Sequence, residues 1–443
     1  MPKRIILLLD GTWNDADDGP ADTNIVRLRE RIAAFLAGSA RGAMAPPTGA
    51  SRQTFQMSGA GKSATNNVVF YERGVGTSGF LDNLRGGAFG AGLDRNIRRA
   101  YTFLVQHYDP DDEIYIFGFS RGSYTARSLV GCLNTVGLLR REDCDEKTLS
   151  KIWSYYRTDR NDRTTQIGSE LRAVSIEPEK VTIKCLGVFD TVGALGLPLS
   201  SFWKENRDLY GFHDVGLARI CEHSLHAVAI DEHREQFEAT LWRQQKFINN
   251  DPRVEQVWFP GAHADVGGGY IAEQSRRSDL QYLDDTTLDW MIRKVQDIAS
   301  GDFPVAPCES VATVKRRTAR SYADAPQHEP RRGVYRLFPY VLRSIWNKPV
   351  PVGPWPLERN VCFDRHATPI GEAVHISAIL RLGQSITLEG APSIYAPRNL
   401  LAAIYKLRQR QQTLAIVNWD GRQLNNARAS TLLDDALHRT FLG

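Results

Sequence analysis

A serine flanked by glycines, between a strand-like and a helix-like segment, is the feature that most constrains the fold of this chain. Glu113–Phe117 is rich in β-branched and aromatic residues, which predicts a strand, and apolar residues recur at helical spacing over 123–133. Between them, residues 118–122 read Gly-Phe-Ser-Arg-Gly, a G-x-S-x-G sequence. So sharp a turn requires glycine on both sides of the central residue, because Cβ atoms there would collide with neighbouring backbone. The pattern predicts that Ser120 is held at strained dihedral angles as a nucleophile; the alternative is that Ser120 only caps the helix.

Further apolar segments indicate the fold class. Ile5–Leu9, Val181–Phe189 and Val254–Phe259 are short, continuous apolar runs, which are typical of strands buried on both faces of a parallel sheet. Helical spacing precedes Glu113, and we interpret Ala218–Leu241 as a further helix. Strands that alternate with helices predict an α/β fold with a mostly parallel central sheet and helices on both faces. Together with the G-x-S-x-G turn, this predicts a fold of the α/β-hydrolase type.

The 443 residues exceed one minimal domain, so we expect a catalytic core with an appendage. We place the core at residues 1–300, with a flexible insertion at 38–66, where small residues and prolines occur without periodicity. Residues 301–443 form a C-terminal elaboration, partly packed on the core, that is a candidate lid or membrane-contacting region. Within it, aromatic, apolar and basic side chains mix over 334–355, and ordinary loop packing is the alternative there.

A serine hydroxyl needs a general base, and the base needs an acid to orient it. Asp190 follows the strand Val181–Phe189 and His263 follows the strand Val254–Phe259, so both are expected at the carboxyl edge of the sheet. The order Ser120, Asp190, His263 is the chain order of an α/β-hydrolase triad.

Two alternatives to these partners remain open. His375, in a Val-His-Ile-Ser sequence, competes with His263 as the base, and Asp265 competes with Asp190 as the acid. Asp190 has a structural reading as well, since aspartate favours the turn that follows a strand.

Acyl transfer also requires hydrogen-bond donors for the oxyanion of the tetrahedral intermediate. The backbone N–H of Arg121 is one candidate, and Gly11 or Thr12, in the loop after the first strand, is the second. The alternative is that Gly11 only forms a turn. Asp10 begins this loop. Residues 8–12 superficially resemble the strand of an aspartate-nucleophile phosphatase, but that motif also needs aspartate at position 8, where this chain has leucine.

Charge and cysteine usage exclude several classes of protein. The chain has 55 lysines and arginines and 51 aspartates and glutamates, a net charge of +4, which offers no general case for binding nucleic acid. Its six cysteines are scattered without metal-ligand spacing, and we expect no metal and no cofactor. A cation site built from Asp190, His263 and Asp265 is the alternative. No apolar run is long enough for a membrane span or a signal peptide, so we expect a cytoplasmic protein, with export by a route without a signal peptide left open.

Several motifs together resemble one family. They are Leu9-Asp-Gly-Thr-Trp-Asn14, Gly118-Phe-Ser-Arg-Gly122, Phe189-Asp-Thr-Val-Gly193, Ala229-Ile-Asp-Glu232 with Arg234, His263-Ala-Asp-Val-Gly-Gly-Gly269, His375 with Ser377 and Arg381, and Tyr395-Ala-Pro-Arg-Asn-Leu400. In this order they resemble the α/β-hydrolase family, long catalogued as a domain of unknown function, that includes the class-one type VI secretion phospholipase effectors. The resemblance runs from residue 4 to about residue 400.

The resemblance implies a serine esterase or phospholipase A fold, with Ser120 at the position of the nucleophile and His263 and Asp190 at those of the base and acid. The secreted effectors of this group are generally longer and carry a membrane-docking region, which puts the antibacterial role in doubt for this chain. We therefore expect cleavage of carboxylic esters, above all lipid acyl esters, with peripheral membrane contact as a candidate property. The alternative is a binding module that has the fold without the activity; the oligomeric state stays open.

Overall fold

The computed structural model describes residues 2–11, 22–39, 55–60, 66–74, 87–159, 161–192, 216–243, 253–270, 282–305, 325–347, 358–361 and 370–442. The strands in these ranges are β1 (Arg4–Leu9), β2 (Phe55–Ala60), β3 (Asn66–Glu72), β4 (Glu113–Phe119), β5 (Leu138–Leu139), β6 (Ser175–Ile176), β7 (Ile183–Phe189), β8 (Ser224–Ala229), β9 (Val254–Phe259), β10 (Tyr340–Arg343), β11 (Glu358–Val361), β12 (Glu372–His375), β13 (Ser385–Leu388), β14 (Ala391–Ile394) and β15 (Ile416–Val417). The helices are α1 (Asn24–Ser39), α2 (Gly87–His107), α3 (Arg121–Val136), α4 (Glu146–Arg157), α5 (Thr165–Ala173), α6 (His263–Gly267), α7 (Leu283–Ile298), α8 (Ile376–Arg381), α9 (Arg398–Gln409) and α10 (Asn426–Leu442).

Nine of these strands form one sheet in the order β15-β12-β9-β8-β7-β4-β1-β3-β2. Neighbours run parallel throughout, apart from the edge strand β2, which pairs antiparallel with β3. The apolar run of β1 is buried at all six positions, as expected for a central strand covered on both faces. The predicted fold class, a mostly parallel α/β sheet, is confirmed.

Separate sets of apolar residues cover the two faces of the sheet. Side chains of a strand alternate between faces, so Leu7 packs in a cluster with Leu129 of α3, whereas Leu8 packs in a cluster with Ile25 of α1 and Trp290 of α7. The fold therefore has helix, sheet and helix layers, with all the parallel strands ending at one edge.

The prediction of a helix over Ala218–Leu241 is wrong, because Ser224–Ala229 is the strand β8. All six of its residues are buried between β7 and β9, but the polar residues Ser224 and His226 interrupt the continuous apolar run by which the other buried strands are recognised. Asp190 and His263 consequently follow strands that flank β8 rather than adjacent strands.

Within the predicted insertion, Phe55–Ala60 forms the edge strand β2, so that part is a regular element; residues 40–54 and 61–65 lie outside the described residues. The division of the chain at residue 300 stays a prediction. The sheet nevertheless crosses it, since β12 and β15 extend the sheet beyond β9. In the part of the chain that the structure describes, no helix has the length and apolar character needed to cross a membrane.

Candidate active site

Ser120 lies at the turn between β4 and α3, and its backbone has φ 57° and ψ −121°, a region that residues with a side chain rarely adopt. The flanking glycines permit this turn. A Cβ on Gly118 would lie 2.7 Å from the carbonyl oxygen of Gly122, and a Cβ on Gly122 would lie 2.1 Å from that of Leu9. The strained turn is fixed from the adjacent strand, because the N–H of Ser120 donates to the carbonyl oxygen of Phe189 at 3.0 Å.

The structure brings Asp190 and His263 together at the same edge of the sheet. Nδ1 of His263 lies 2.6 Å from Oδ2 of Asp190, and both side chains are buried. The N–H of Ala229, at the end of β8, donates to Oδ1 of Asp190 at 2.9 Å. Ala229 belongs to β8, which lies between the strands that Asp190 and His263 follow. Its hydrogen bond therefore fixes the orientation of the Asp190 carboxylate.

Two aromatic rings hold the imidazole of His263. It stacks on Phe119 at a centroid distance of 4.7 Å and meets the edge of Phe237 at 5.0 Å. Phe119 directly precedes Ser120, so the imidazole lies beside the strained turn. A serine, a histidine and a buried carboxylate thus share one edge of the sheet.

Burial and neighbouring charges shift the pKa values of Asp190 and His263 in opposite directions. Burial by itself would raise the pKa of Asp190, but the guanidinium of Arg343 and the hydrogen bond with His263 hold that pKa well below its ordinary value. For His263, burial lowers the pKa below its ordinary value of 6.5, although Asp190 favours the charged form. His263 is therefore neutral at neutral pH, as a general base must be.

Sequence reasoning missed Arg343 and gave no role to Glu232. Arg343 donates to both carboxylate oxygens of Asp190, at 2.6 Å and 3.0 Å. Glu232 accepts two hydrogen bonds from the guanidinium of Arg234 and one, at 3.2 Å, from the N–H of His263. Glu232 and Arg234 stand in a family motif, which is a signal for them, whereas Arg343 stands in none of the motifs.

The two alternative triad members have other partners. Oδ1 of Asp265 lies 2.7 Å from Nδ1 of His328, and its Oδ2 accepts from the N–H of Ala262 at the start of α6. Nδ1 of His375 lies 2.8 Å from Oγ of Ser377, and burial lowers the pKa of His375 to about 3. Asp265 caps α6 and His375 caps α8, which accounts for both residues without a catalytic role.

Of the oxyanion candidates, Gly11 lies close to the serine, since a Cβ there would be 3.3 Å from that of Ser120. Its N–H, however, donates to Oδ1 of Asp10 at 2.7 Å. Thr12 lies outside the described residues. Arg121 is the first residue of α3, and burial lowers the pKa of its guanidinium to about 9. Arg121 therefore stays a candidate oxyanion donor, as the residue that follows Ser120 at the start of a helix.

Asp10 anchors the loop after β1. Its carboxylate accepts from Gly11 and from the hydroxyls of Thr23, at 2.8 Å, and Tyr71, at 2.9 Å. Burial raises its pKa to about 6, against these hydrogen bonds. Three donors on one buried carboxylate indicate a structural role. Among the described residues, no cluster of histidine, cysteine, aspartate or glutamate could hold a metal ion.

The parallel sheet, the strained serine at a strand-to-helix turn and the His–Asp pair at the same edge define a domain of the α/β-hydrolase type. Residues 3–294 match the family model described as T6SS, Phospholipase effector Tle1-like, catalytic domain. The chain belongs to this family, as its motifs predicted. That description is of a family of phospholipase effectors.

Individual relatives are distant. The chain is 29% identical over 206 residues to the uncharacterized protein YEL023C of Saccharomyces cerevisiae, a match that covers 42% of this chain and 29% of the yeast protein. An uncharacterized protein from Pseudomonas aeruginosa has 17% identity and a TM-score of 0.35, over 69% of this chain and 47% of that one. The Tle1 effector bound to the VgrG spike of the Type 6 secretion system has 19% identity and a TM-score of 0.29, over 60% and 52%. The chain thus spans about half, or less, of the length of these relatives.

Proposed function

We propose that this protein is a serine hydrolase that cleaves acyl esters of lipids through an acyl-enzyme on Ser120. The observation that carries the proposal is the 2.6 Å contact between His263 Nδ1 and Asp190 Oδ2, at the edge of the sheet where Ser120 is strained. With Nδ1 turned to the carboxylate, Nε2 is the nitrogen left to accept the serine proton.

In the proposed reaction, Oγ of Ser120 attacks the ester carbonyl carbon while Nε2 of His263 takes its proton. The alcohol leaves with that proton, and the acyl group stays bound to the serine. Water, deprotonated by the same nitrogen, then attacks the acyl carbon; the bond to Oγ breaks, His263 returns the proton to Oγ of Ser120, and the fatty acid is released. The N–H groups of Arg121 and of Thr12, in the loop after β1, are the proposed donors to the oxyanion.

A phospholipid is the substrate class that the surroundings favour. Arg121 directly follows Ser120 in the chain, and the pKa of its guanidinium, about 9, keeps it charged at neutral pH. Such a charge suits the phosphate of a head group. Family membership, with its phospholipase description, points the same way.

Membrane contact is part of the proposal. Within the segment 334–355, Val341 and Leu342 are buried, which is ordinary packing, but Leu337 is 82% exposed. Leu337 lies two residues from Tyr335, whose ring meets Phe237 at 6.3 Å, and Phe237 in turn contacts His263. An exposed leucine near the mouth of the site is suited to a lipid surface.

Replacement of Ser120 by alanine tests the proposal. Turnover of a short-chain chromogenic ester is expected to fall by at least about 10³-fold, because the nucleophile is gone while binding and oxyanion donors remain. A fluorophosphonate probe is expected to label the wild type and not the variant. Ser154→Ala, at an exposed position of α4, is the matched control and should be labelled as the wild type is.

The outcome separates the proposal from its alternative. Undiminished turnover by Ser120→Ala would eliminate Ser120 as the nucleophile. A folded wild type that neither turns over ester nor reacts with the probe would favour a binding module that has only the fold. Release of fatty acid from vesicles of anionic phospholipid, compared with vesicles of neutral phospholipid and with a triacylglycerol emulsion, identifies the lipid class.

A further inference from the structure

Arg343 makes a bidentate ion pair with the carboxylate of Asp190. Nη1 donates to Oδ1 at 2.6 Å and Nη2 donates to Oδ2 at 3.0 Å. The guanidinium is also fixed by the carbonyl oxygens of Ala229, at 2.8 Å, and Phe237. Arg343 is 3% exposed and Asp190 fully buried, so this ion pair is closed off from solvent.

We infer that Arg343 is a positioning residue of the proposed triad, which holds the Asp190 carboxylate against His263 and opposes protonation of the imidazole. The inference rests on the function proposed above. Arg343 lies at the end of β10, in the C-terminal part of the chain and outside residues 3–294, which match the family's catalytic-domain model. A contact across 153 residues thus joins that part of the chain to the proposed acid.

The charges around the His–Asp pair come from several elements. Arg343 on β10 faces Asp190, Glu232 and Arg234 follow β8, and His226 lies on β8 itself. Glu232 and Arg234 form an ion pair of 2.8 Å and largely offset each other. Burial lowers the pKa of His226 to about 3, so it carries no charge at neutral pH. Among these groups in the described residues, Arg343 is therefore the cation that offsets Asp190.

This charge balance decides how readily His263 takes up a proton. Asp190, Arg343 and neutral His263, taken as a group of three, have no net charge, and protonation of His263 gives this group a buried charge of +1. Without Arg343, the resting pair has a charge of −1, and protonation neutralises it. Because buried net charge is unfavourable, loss of Arg343 favours the protonated imidazole. Arg343 therefore extends the range of the base toward acid pH.

The test compares the pH dependence of kcat/KM in three variants. In Arg343→Met, the acid limb, which reports protonation of the base in the free enzyme, is expected to move up by about one pH unit or more. Arg343→Lys keeps the positive charge but loses the bidentate guanidinium. We therefore expect kcat to fall by about tenfold, while the acid limb moves by less than about 0.3 pH unit. Arg343→Gln supplies a second neutral variant if the methionine variant does not fold.

Arg4→Met is the matched control. Arg4 is also a buried, ion-paired arginine, 5% exposed and 3.3 Å from Asp302, but it begins β1 at the opposite edge of the sheet. Its removal should lower the Tm without moving the acid limb. An unmoved limb in both neutral Arg343 variants, or an equal movement in Arg4→Met, would overturn the inference.

A second measurement keeps this result separate from the proposed function. NMR titration of the ¹⁵N-labelled His263 imidazole, assigned with His263→Gln, follows protonation without any substrate. If the wild type hydrolyses no ester, the proposed function fails, yet the titration midpoint of Arg343→Met should still lie about one unit above that of the wild type. Coincident midpoints would overturn the inference about Arg343 alone. In addition, Asp190→Asn should raise the Tm when added to Arg343→Met, because it removes the buried negative charge that Arg343 no longer offsets.

Discussion

His328 and Asp265 form a second histidine–carboxylate pair, with Nδ1 of His328 2.7 Å from Oδ1 of Asp265. Asp265 lies two residues from His263 in the chain, yet its carboxylate is directed to His328 and to the start of α6. His263 instead meets a carboxylate 73 positions away. Proximity in the sequence therefore does not determine which carboxylate pairs with His263.

The two carboxylates should respond differently to replacement by asparagine. Asp190→Asn is expected to lower kcat by about 10⁴-fold, because the amide no longer fixes the tautomer of His263 that presents Nε2 to the serine. Asp265→Asn should lower the Tm through a weakened cap on α6 and leave kcat within about tenfold of the wild type. Steady-state kinetics and thermal unfolding of both variants check this. A larger loss of kcat in Asp265→Asn than in Asp190→Asn would reverse the assignment of the acid.

Gly122 should tolerate no side chain. A Cβ there would meet the carbonyl oxygens of Leu9 at 2.1 Å and Asp10 at 2.5 Å, both backbone atoms that cannot move aside. Gly122→Ala is therefore expected to destabilise the protein by about 2 kcal/mol or more and to abolish turnover, since α3 and β1 must separate. The midpoint of urea unfolding measures the first effect and ester hydrolysis the second.

Gly38 provides the control for this substitution. It lies in the last turn of α1, and a Cβ there would have no neighbour within 4 Å. Gly38→Ala should raise the free energy of unfolding by about 0.5–1 kcal/mol, because alanine loses less backbone entropy in a helix. Equal effects at the two glycines would show that the turn at Ser120 is not tight.

The sequence predicts those parts of the site that follow long apolar strands. Ser120 and Asp190 come directly after such runs and His263 four residues after one, so the fold brings them to one edge whatever the detail of the connections. The sequence does not reveal the strand β8, because the buried polar residues Ser224 and His226 interrupt its apolar run, and β15 has only two residues.

Arg343 shows a different limit of sequence reasoning. It stands among other arginines and prolines without periodicity, and only its contact with Asp190, 153 residues away, distinguishes it. Tyr395 is an intermediate case: its family motif marks it in the sequence, but its partner appears only in the fold. Long-range polar contacts of this kind depend on how loops pack, which local patterns do not encode.

Tyr395 braces the loop that leads from β8 to the site. Its hydroxyl donates to Oδ2 of Asp231 at 3.1 Å, and the same oxygen accepts from the N–H of Gly261 at 2.7 Å. Tyr395→Phe should lower the free energy of unfolding by about 1–3 kcal/mol, because a buried carboxylate loses one donor. Tyr405→Phe, at a tyrosine that is 64% exposed, should change it by less than about 0.5 kcal/mol. Equal urea midpoints for the two variants would contradict the bracing role.

The pH dependence of stability should contain a separable contribution from His375. Burial lowers its pKa from 6.5 to about 3 in the folded protein, so between these values the unfolded chain binds a proton that the folded chain does not. Stability from this group is therefore complete above about pH 6.5 and falls as the pH is lowered, by about 2 kcal/mol at about pH 5. Buried carboxyl groups act in the opposite direction, since burial raises the pKa of Asp231 to about 7 and that of Asp10 to about 6. The total pH dependence accordingly mixes both signs, and His375 must be isolated by a variant.

His375→Asn makes this separation, since asparagine can still accept at the start of α8 but does not titrate in this range. The free energy of unfolding, measured by urea at about pH 7 and about pH 5, should fall by about 2 kcal/mol more in the wild type than in the variant. The carboxyl groups are common to both proteins and cancel in the difference. If the difference between the two proteins is the same at both pH values, His375 titrates normally in the folded state and is not sealed between Phe259 and Trp419, whose rings lie 4.7 Å and 4.9 Å from it.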